Sequence, residues 1–174
     1  MFLSAPQRGL AITVDTFEGK VALRNERRLG RYFSGLAGAV HLPCKERNGW
    51  IYVTAGIEGR GVLMMAETGP RDLNINGLTA VRYGIGTRPG AVPWSGKDFP
   101  VVRPVLTVDV GGIASTPGDG LVDDFAMGNG WTGCACAGDI GPEFLRNYRF
   151  TIDPFEKALV LEKPSASMSA GKRG

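Results

Sequence analysis

Short apolar runs with alternating polar positions recur along most of the chain, and turn-forming residues separate them at close intervals. This pattern predicts many short β-strands and little helix. The strongest case begins at Tyr52, where Tyr52, Val53, Ala55 and Ile57 favour an extended chain. Glu58-Gly59-Arg60-Gly61 is a polar, Gly-bearing reversal, and Val62 to Ala66 is a second apolar run. Together they predict a hairpin whose second strand delivers Glu67 to a tight turn, Glu67-Thr68-Gly69. Alternation resumes over Pro70-Arg71-Asp72-Leu73-Asn74-Ile75, so the triplet lies between strands.

Other segments follow from the same signals. Arg8 to Asn25 alternates on both sides of Phe17-Glu18-Gly19-Lys20 and predicts a hairpin. Ala39 to Pro43 predicts a short strand, and Lys45-Glu46-Arg47-Asn48-Gly49 a turn leading into the next hairpin. A brief helix is expected from Leu78 to Tyr83, ending at Gly84, and one helical turn at Leu29 to Phe33 within the charged, Gly-bearing stretch Arg24 to Gly38. Gly84 to Pro100 is rich in Gly and Pro and sets Trp94 and Phe99 among small residues. Val101 to Val110 predicts a strand, Gly111-Gly112 a turn, and Gly118 to Gly133 a polar connection. The tail, 164–174, is poor in apolar residues and predicts a flexible or extended arm.

The first hairpin has an echo near the end of the chain. Arg8, Thr13, Asp15, Phe17, Glu18 and Leu23 align without gaps to Arg146, Thr151, Asp153, Phe155, Glu156 and Leu161. Two readings are open: two amphipathic hairpins converged on similar residues, or the first is the tail of an earlier domain built like this one.

Composition narrows the function classes. The 174 residues suffice for one domain with a real core, and 26 Gly and 11 Pro suit many turns. A net charge of +3 from 20 basic and 17 acidic residues, with no long block of one sign, reads as solvated surface rather than a nucleic-acid face. Cys44, Cys134 and Cys136 are odd in number; an adjacent Cys-x-Cys bridge is strained, so at most one disulfide is expected, from Cys44 to one of the pair. With His41, the one histidine, they form a nominal zinc set that lacks the usual knuckle spacing, and no metal is expected. Asp119, Asp123 and Asp124 do not supply the alternating oxygens of a calcium loop. No run approaches the roughly 20 apolar residues of a membrane helix. The start, Met1 to Pro6, has neither the positive charge nor the apolar length of a secretory leader, so an exported or periplasmic home is expected only if an upstream leader is missing from this chain.

Downstream of the acidic triplet lies Gly138-Asp139-Ile140-Gly141-Pro142-Glu143-Phe144-Leu145-Arg146-Asn147-Tyr148-Arg149-Phe150-Thr151-Ile152-Asp153. With Glu67-Thr68-Gly69 ahead of it, this segment resembles the aspartic peptidases of retropepsin and pepsin-like type. In these a strand pair leads into Asp-Thr-Gly, and the domain closes with a Gly-bounded apolar step, an acidic-Phe-Leu step, a basic helical turn and a final hairpin. The resemblance covers roughly 39–163. It implies an all-β acid-protease domain, a small closed or partly closed barrel of about nine to twelve strands with one or two short helices. The expected organisation is therefore an N-terminal hairpin and linker at 1–38, the β domain at 39–163 and the tail at 164–174.

By the same resemblance, Glu67, Thr68 and Gly69 form the catalytic acid turn in altered form. Trp94 and Phe99 belong to a flap over the substrate, and Asp139, Ile140 and Gly141 line the substrate side of the closing motif. Such peptidases hold a water between two carboxylates that share one proton. This chain offers one acid turn, so activity would demand a symmetric dimer or a second lobe. Glu67 adds a methylene, and a displacement of about 1 Å can cost about 10²-fold. Pro70 removes a backbone donor beside the turn, and Asp139 places a charge where an apolar residue is usual. The implied function is a peptidase-like domain with impaired catalysis that serves as a binding or accessory subunit of a larger assembly; the alternative is an active homodimeric endopeptidase using Glu67. Its partner is a protein or peptide, and no cofactor is implied.

Overall fold

The computed structural model describes residues 10–24, 38–67, 73–94, 97–116, 120–123 and 135–163, with the side chains of 92–94, 97–99 and 123 left aside. In chain order the strands are β1 (Ala11–Asp15), β2 (Lys20–Arg24), β3 (Val40–Arg47), β4 (Trp50–Ile57), β5 (Arg60–Ala66) and β6 (Leu73–Asn76). Helix α1 (Gly77–Tyr83) follows, then β7 (Gly86–Trp94), β8 (Lys97–Val105), β9 (Val108–Val110), β10 (Ile113–Ser115), β11 (Leu121–Asp123) and β12 (Gly138–Ile140). Helix α2 (Pro142–Leu145), β13 (Arg149–Asp153) and β14 (Ala158–Glu162) complete the chain. The described residues are mostly strand with two short helices, as the alternation predicts.

Turn chemistry sets the hairpins. Glu58 and Gly59 carry φ of 49° and 73°, so the β4–β5 reversal is a two-residue turn with both central residues left-handed, the form that suits the twist of paired strands. Glycine accepts that conformation without penalty, whereas Glu58 accepts it at some cost. Helix α1 begins where the Asn76 side chain accepts a hydrogen bond from the Leu78 N–H at 2.8 Å, and ends at left-handed Gly84. The predicted helix therefore stands where expected, one residue longer at its start. The predicted turn at Leu29 to Phe33 lies outside the described residues.

Twelve strands join in one sheet, in the order β11-β6-β12-β5-β4-β3-β14-β13-β1-β2, with β9 branching from β4 and β10 pairing β9. β7 and β8 form a separate two-stranded hairpin. The expected single strand from Val101 to Val110 is two strands, interrupted at Leu106 and Thr107 because β8 pairs with β7 whereas β9 turns to pair with β4. Among the described residues the sheet path ends at β11 and β2. No helix among them is long and apolar enough to cross a membrane.

The core gathers the alternate side chains that the strand pattern singles out: Val53, Ala55 and Ile57 of β4, Val62, Met64 and Ala66 of β5, and Phe150, Ile152, Leu159 and Leu161 of the last hairpin. Burying each large aliphatic or aromatic side chain contributes about 1.5–3 kcal/mol. Tyr52, Met65 and Cys136 cluster separately, on the opposite face of the β4–β5 pair.

Both repeated hairpins form, with identical internal register. β1 pairs β2 as Ile12↔Leu23 and Val14↔Val21, and β13 pairs β14 as Phe150↔Leu161 and Ile152↔Leu159. Asp15 Oδ1 accepts from the Phe17 and Glu18 N–H groups at 3.0 and 2.9 Å, and Asp153 Oδ1 from Phe155 and Glu156 at 2.9 and 3.2 Å. The left-handed position of the turn is Gly19 in one and Lys157 in the other. Such an Asx arrangement explains why Asp recurs at both strand ends.

The centre of the fold is the insertion of β12 between β5 and β6, parallel to the first and antiparallel to the second. A Cβ at Gly138 would land on the Asn74 carbonyl oxygen and crowd the Ile75 Cα at 3.1 Å. Only glycine allows this approach, and backbone cannot yield as a side-chain tip can. We therefore expect Gly138→Ala to lose about 3 kcal/mol of stability; a urea denaturation midpoint indistinguishable from wild type would disprove the close approach.

Candidate active site

Glu67 is positioned by backbone pairing that begins seven residues earlier. β5 runs in register between β4 and β12, Ala66 standing opposite Ile51 on one side and Ile140 on the other. The ladder continues one step beyond the strand, where the Glu67 N–H donates to the Ile140 carbonyl at 3.0 Å. Further back, Ala137 N–H donates to Leu63 O and Asn76 N–H to Ala137 O, both at 2.8 Å. The acid and the closing motif, 71 positions apart in the chain from Glu67 to Gly138, are thus neighbours in the fold. Thr68, Gly69 and Pro70 lie outside the described residues.

Asp139 is the acidic residue that the sequence placed in an apolar setting. It is 2% exposed, yet Oδ1 accepts from the Asn74 backbone N–H and from Asn74 Nδ2, each at 3.0 Å, and Oδ2 accepts from the same amide at 3.1 Å. These bonds offset the desolvation of the carboxylate. Asn74 was not singled out in the sequence, although a signal was present: Leu73-Asn74-Ile75-Asn76 is a strand buried along its whole length, so its two amides required partners. Asn76 caps α1, and Asn74 holds Asp139.

Ile140 is also buried, and Gly141 is the N-cap of α2, with Pro142 opening the helix and Phe144 and Leu145 turned into the core. Asp139 and Ile140 therefore lie alongside the end of β5 in the same sheet, with Gly141 following them. Trp94 and Phe99 stand on the β7–β8 hairpin, opposite Lys97 and Val92 respectively; their side chains lie outside the described set.

The cysteines need a correction. Cys44 and Cys136 are both buried free thiols, so Cys44 forms no disulfide with either candidate. The reason is the pleat: Cys44 stands opposite Val53 and packs in the main core, whereas Cys136 packs with Tyr52 on the other face. Burial, aided by the Asp153 carboxylate, pushes the Cys44 thiol up to about 11, which leaves it protonated and unreactive at neutral pH. His41 is exposed, away from both. Cys134, Asp119 and Asp124 lie outside the described residues, and among those described no group of three His, Cys, Asp or Glu converges on a metal position.

Glu67 itself is half-buried, and burial raises the proton affinity of its carboxyl above the ordinary glutamate value. A carboxyl so placed, at a strand end beside a Gly-bounded motif, can hold a proton and exchange it.

No protein-family model matches the chain, and no curated protein matches it. Among solved structures it is similar to a retropepsin-like aspartic protease from Rickettsia conorii, at 18% identity over 71% of this chain and 89% of that one, with a TM-score of 0.45. It is also similar to conglutin gamma, a basic 7S globulin from lupine seeds, at 10% identity over 94% of this chain and a TM-score of 0.47. This chain spans about half of that protein, 52%. Both scores fall below 0.5, so the architecture is carried by the strand order and register above.

The raised proton affinity of Glu67 has a consequence for stability. Between the unfolded glutamate value, about 4.3, and the raised folded value, the folded state binds more protons than the unfolded state, so stability falls as pH rises through that window. Glu67→Gln removes the penalty. Its melting temperature should exceed that of wild type at pH 7, and the gap should close below about pH 4. A gap that persists unchanged at acid pH would mean that the carboxyl is not held in a desolvating site.

Proposed function

We propose that this protein is an aspartic-peptidase-like β domain with impaired catalysis, acting as a binding or accessory subunit for a protein or peptide within a larger assembly. The observation that carries this reading is the Glu67 N–H to Ile140 carbonyl bond, which seats an acid at the end of β5 against the closing motif. A hydrolytic site of this type activates water between two carboxylates sharing a proton. The proton affinity of Glu67 suits one member of such a pair. The chain has one acid turn, and its acid is a methylene longer than aspartate, which displaces the oxygens at a position where about 1 Å matters.

Asp139 supports the same reading from beneath. Its carboxyl group is held by Asn74 beside the end of β5, an arrangement that suits a structural role for this acid. The β7–β8 hairpin, with Trp94 and Phe99, is the proposed cover for a bound peptide strand.

Purified protein incubated with a diverse peptide library from acid to neutral pH should give no cleavage above that of Glu67→Gln. Cleavage by wild type that disappears in the Gln variant, with a bell-shaped pH profile, would overturn the proposal in favour of an active homodimer whose two glutamates share a proton. Glu67→Asp separates the causes of inactivity: gain of cleavage identifies the extra methylene as the defect, and continued inertness identifies the missing second carboxylate.

A further inference from the structure

The excess positive charge of the chain belongs to one excursion. Residues 73–108, which hold α1, β7 and β8, carry Arg82, Arg88, Lys97 and Arg103 against one acid, Asp98. Four basic residues to one acidic give that excursion +3, and the whole chain is +3; the 20 basic and 17 acidic residues overall leave sixteen of each outside it.

Helix α1 buries Ala80 and turns Leu78 and Val81 to solvent, 81% and 83% exposed and one turn apart. Arg82 stands beside them on that face. The guanidinium carbons of Arg60 and Arg82 lie 5.1 and 5.9 Å from the centre of the Tyr83 ring, a stacking that fixes both, and neither forms an ion pair among the described residues. Arg60 opens β5 while Glu67 follows its other end, so the end of α1 lies away from the acid turn. β11 lies beside both α1 and β8, which sets the root of the β7–β8 hairpin near the helix.

On the hairpin Arg88 stands directly opposite Arg103, an unfavourable pairing that a negative partner relieves. Gly90 lets the Arg103 side chain lie across it: a Cβ there would come within 2.5 Å of Arg103 Nε. Arg103 Nη2 donates to the Ala91 carbonyl at 3.0 Å, so this guanidinium is held in place before any ligand arrives. At the root, Pro104 and Leu106 are buried while Val105 between them is 55% exposed. The face that carries Arg88, Arg103 and Val105 therefore looks away from the core there. Pro89, Pro93, Pro100 and Pro104 all occupy the other set of alternate positions, where the backbone nitrogen points outward from the hairpin. Both outer edges thus lack regular donors, and a partner must meet a face of the hairpin instead of extending it as a strand.

We propose that α1 and the Arg88–Arg103 face of the β7–β8 hairpin form a docking surface for an acidic, aliphatic peptide segment of a partner protein. Its aliphatic side chains cover Leu78, Val81 and Val105, and its carboxylates meet Arg82, Arg88 and Arg103. Exposed aliphatic side chains favour such a peptide over nucleic acid, whose phosphates gain nothing from them. The inference goes beyond the proposed function, at a surface that does not include Glu67, so either can fail without the other.

The experiment measures fluorescence anisotropy of a labelled synthetic peptide of Glu and Leu with the full chain. A peptide of Lys and Leu and a single-stranded DNA oligonucleotide serve as comparisons. The Glu/Leu peptide should bind, more weakly as salt is added, and the Lys/Leu peptide should not. Arg82→Glu with Arg88→Glu should weaken binding about tenfold or more. Leu78→Ser with Val81→Ser should do the same, and both double variants should melt like wild type because all four side chains are exposed. Gly90→Ala keeps every charge but displaces Arg103, and should weaken binding about threefold or more. Glu67→Gln should bind as wild type does; loss of binding in that variant would place the peptide at the acid turn and overturn the proposal. Absence of binding at about millimolar peptide, or equal binding of the Lys/Leu peptide, would also overturn it. So would tighter binding of the oligonucleotide than of the peptide, or concentration-dependent dimerisation that the Leu78 and Val81 changes abolish.

Discussion

A single strand of three residues, β12, joins two parts of the sheet by lying between β5 and β6. Parallel pairing to one neighbour and antiparallel pairing to the other is possible there because Gly138 has no side chain to strike the Asn74 carbonyl. Much else follows from that approach. The Ile140 carbonyl comes within reach of the Glu67 N–H, Asp139 meets the Asn74 amide, and Gly141 starts α2 so that Phe144 and Leu145 enter the core. Were β12 displaced, the end of β5 would be an unpaired strand terminus and Glu67 would have no defined position.

The second organising element is the sheet beneath the lobe. β3, β14, β13, β1 and β2 run side by side, and the two repeated hairpins meet where β1 pairs antiparallel with β13. The half of the sheet under the lobe is covered, and its apolar residues are nearly inaccessible. The other half presents residues of the same type to solvent.

The backbone seats Glu67 firmly, and burial readies its carboxyl to hold a proton, yet the hydrolytic scheme of the resembled peptidases distributes one proton over two acids. The neighbouring buried acid, Asp139, is hydrogen-bonded to the backbone and side chain of Asn74. Both described thiols are buried among apolar side chains, and the proton affinity of Cys44 is raised.

Local pattern was enough to place several of the elements. Period-two alternation and Gly-bearing turns located the β4–β5 hairpin, the first and last hairpins and the α1 cap, because each is decided by residues within a few positions of one another. The repeat was also legible, since six identities at one offset need no structure to be seen. Three matters were decided only by tertiary structure. The faces of the strands separate Cys44 from Cys136, which spacing alone left as a candidate bridge. Asp139 bonds to Asn74, 65 positions away, and no local rule joins them. The pairing of the repeated hairpins is a contact over 138 positions between Thr13 and Thr151. A sequence displays which side chains need burial or a hydrogen bond; the fold alone determines which distant group meets that need, because packing acts through space and not along the chain.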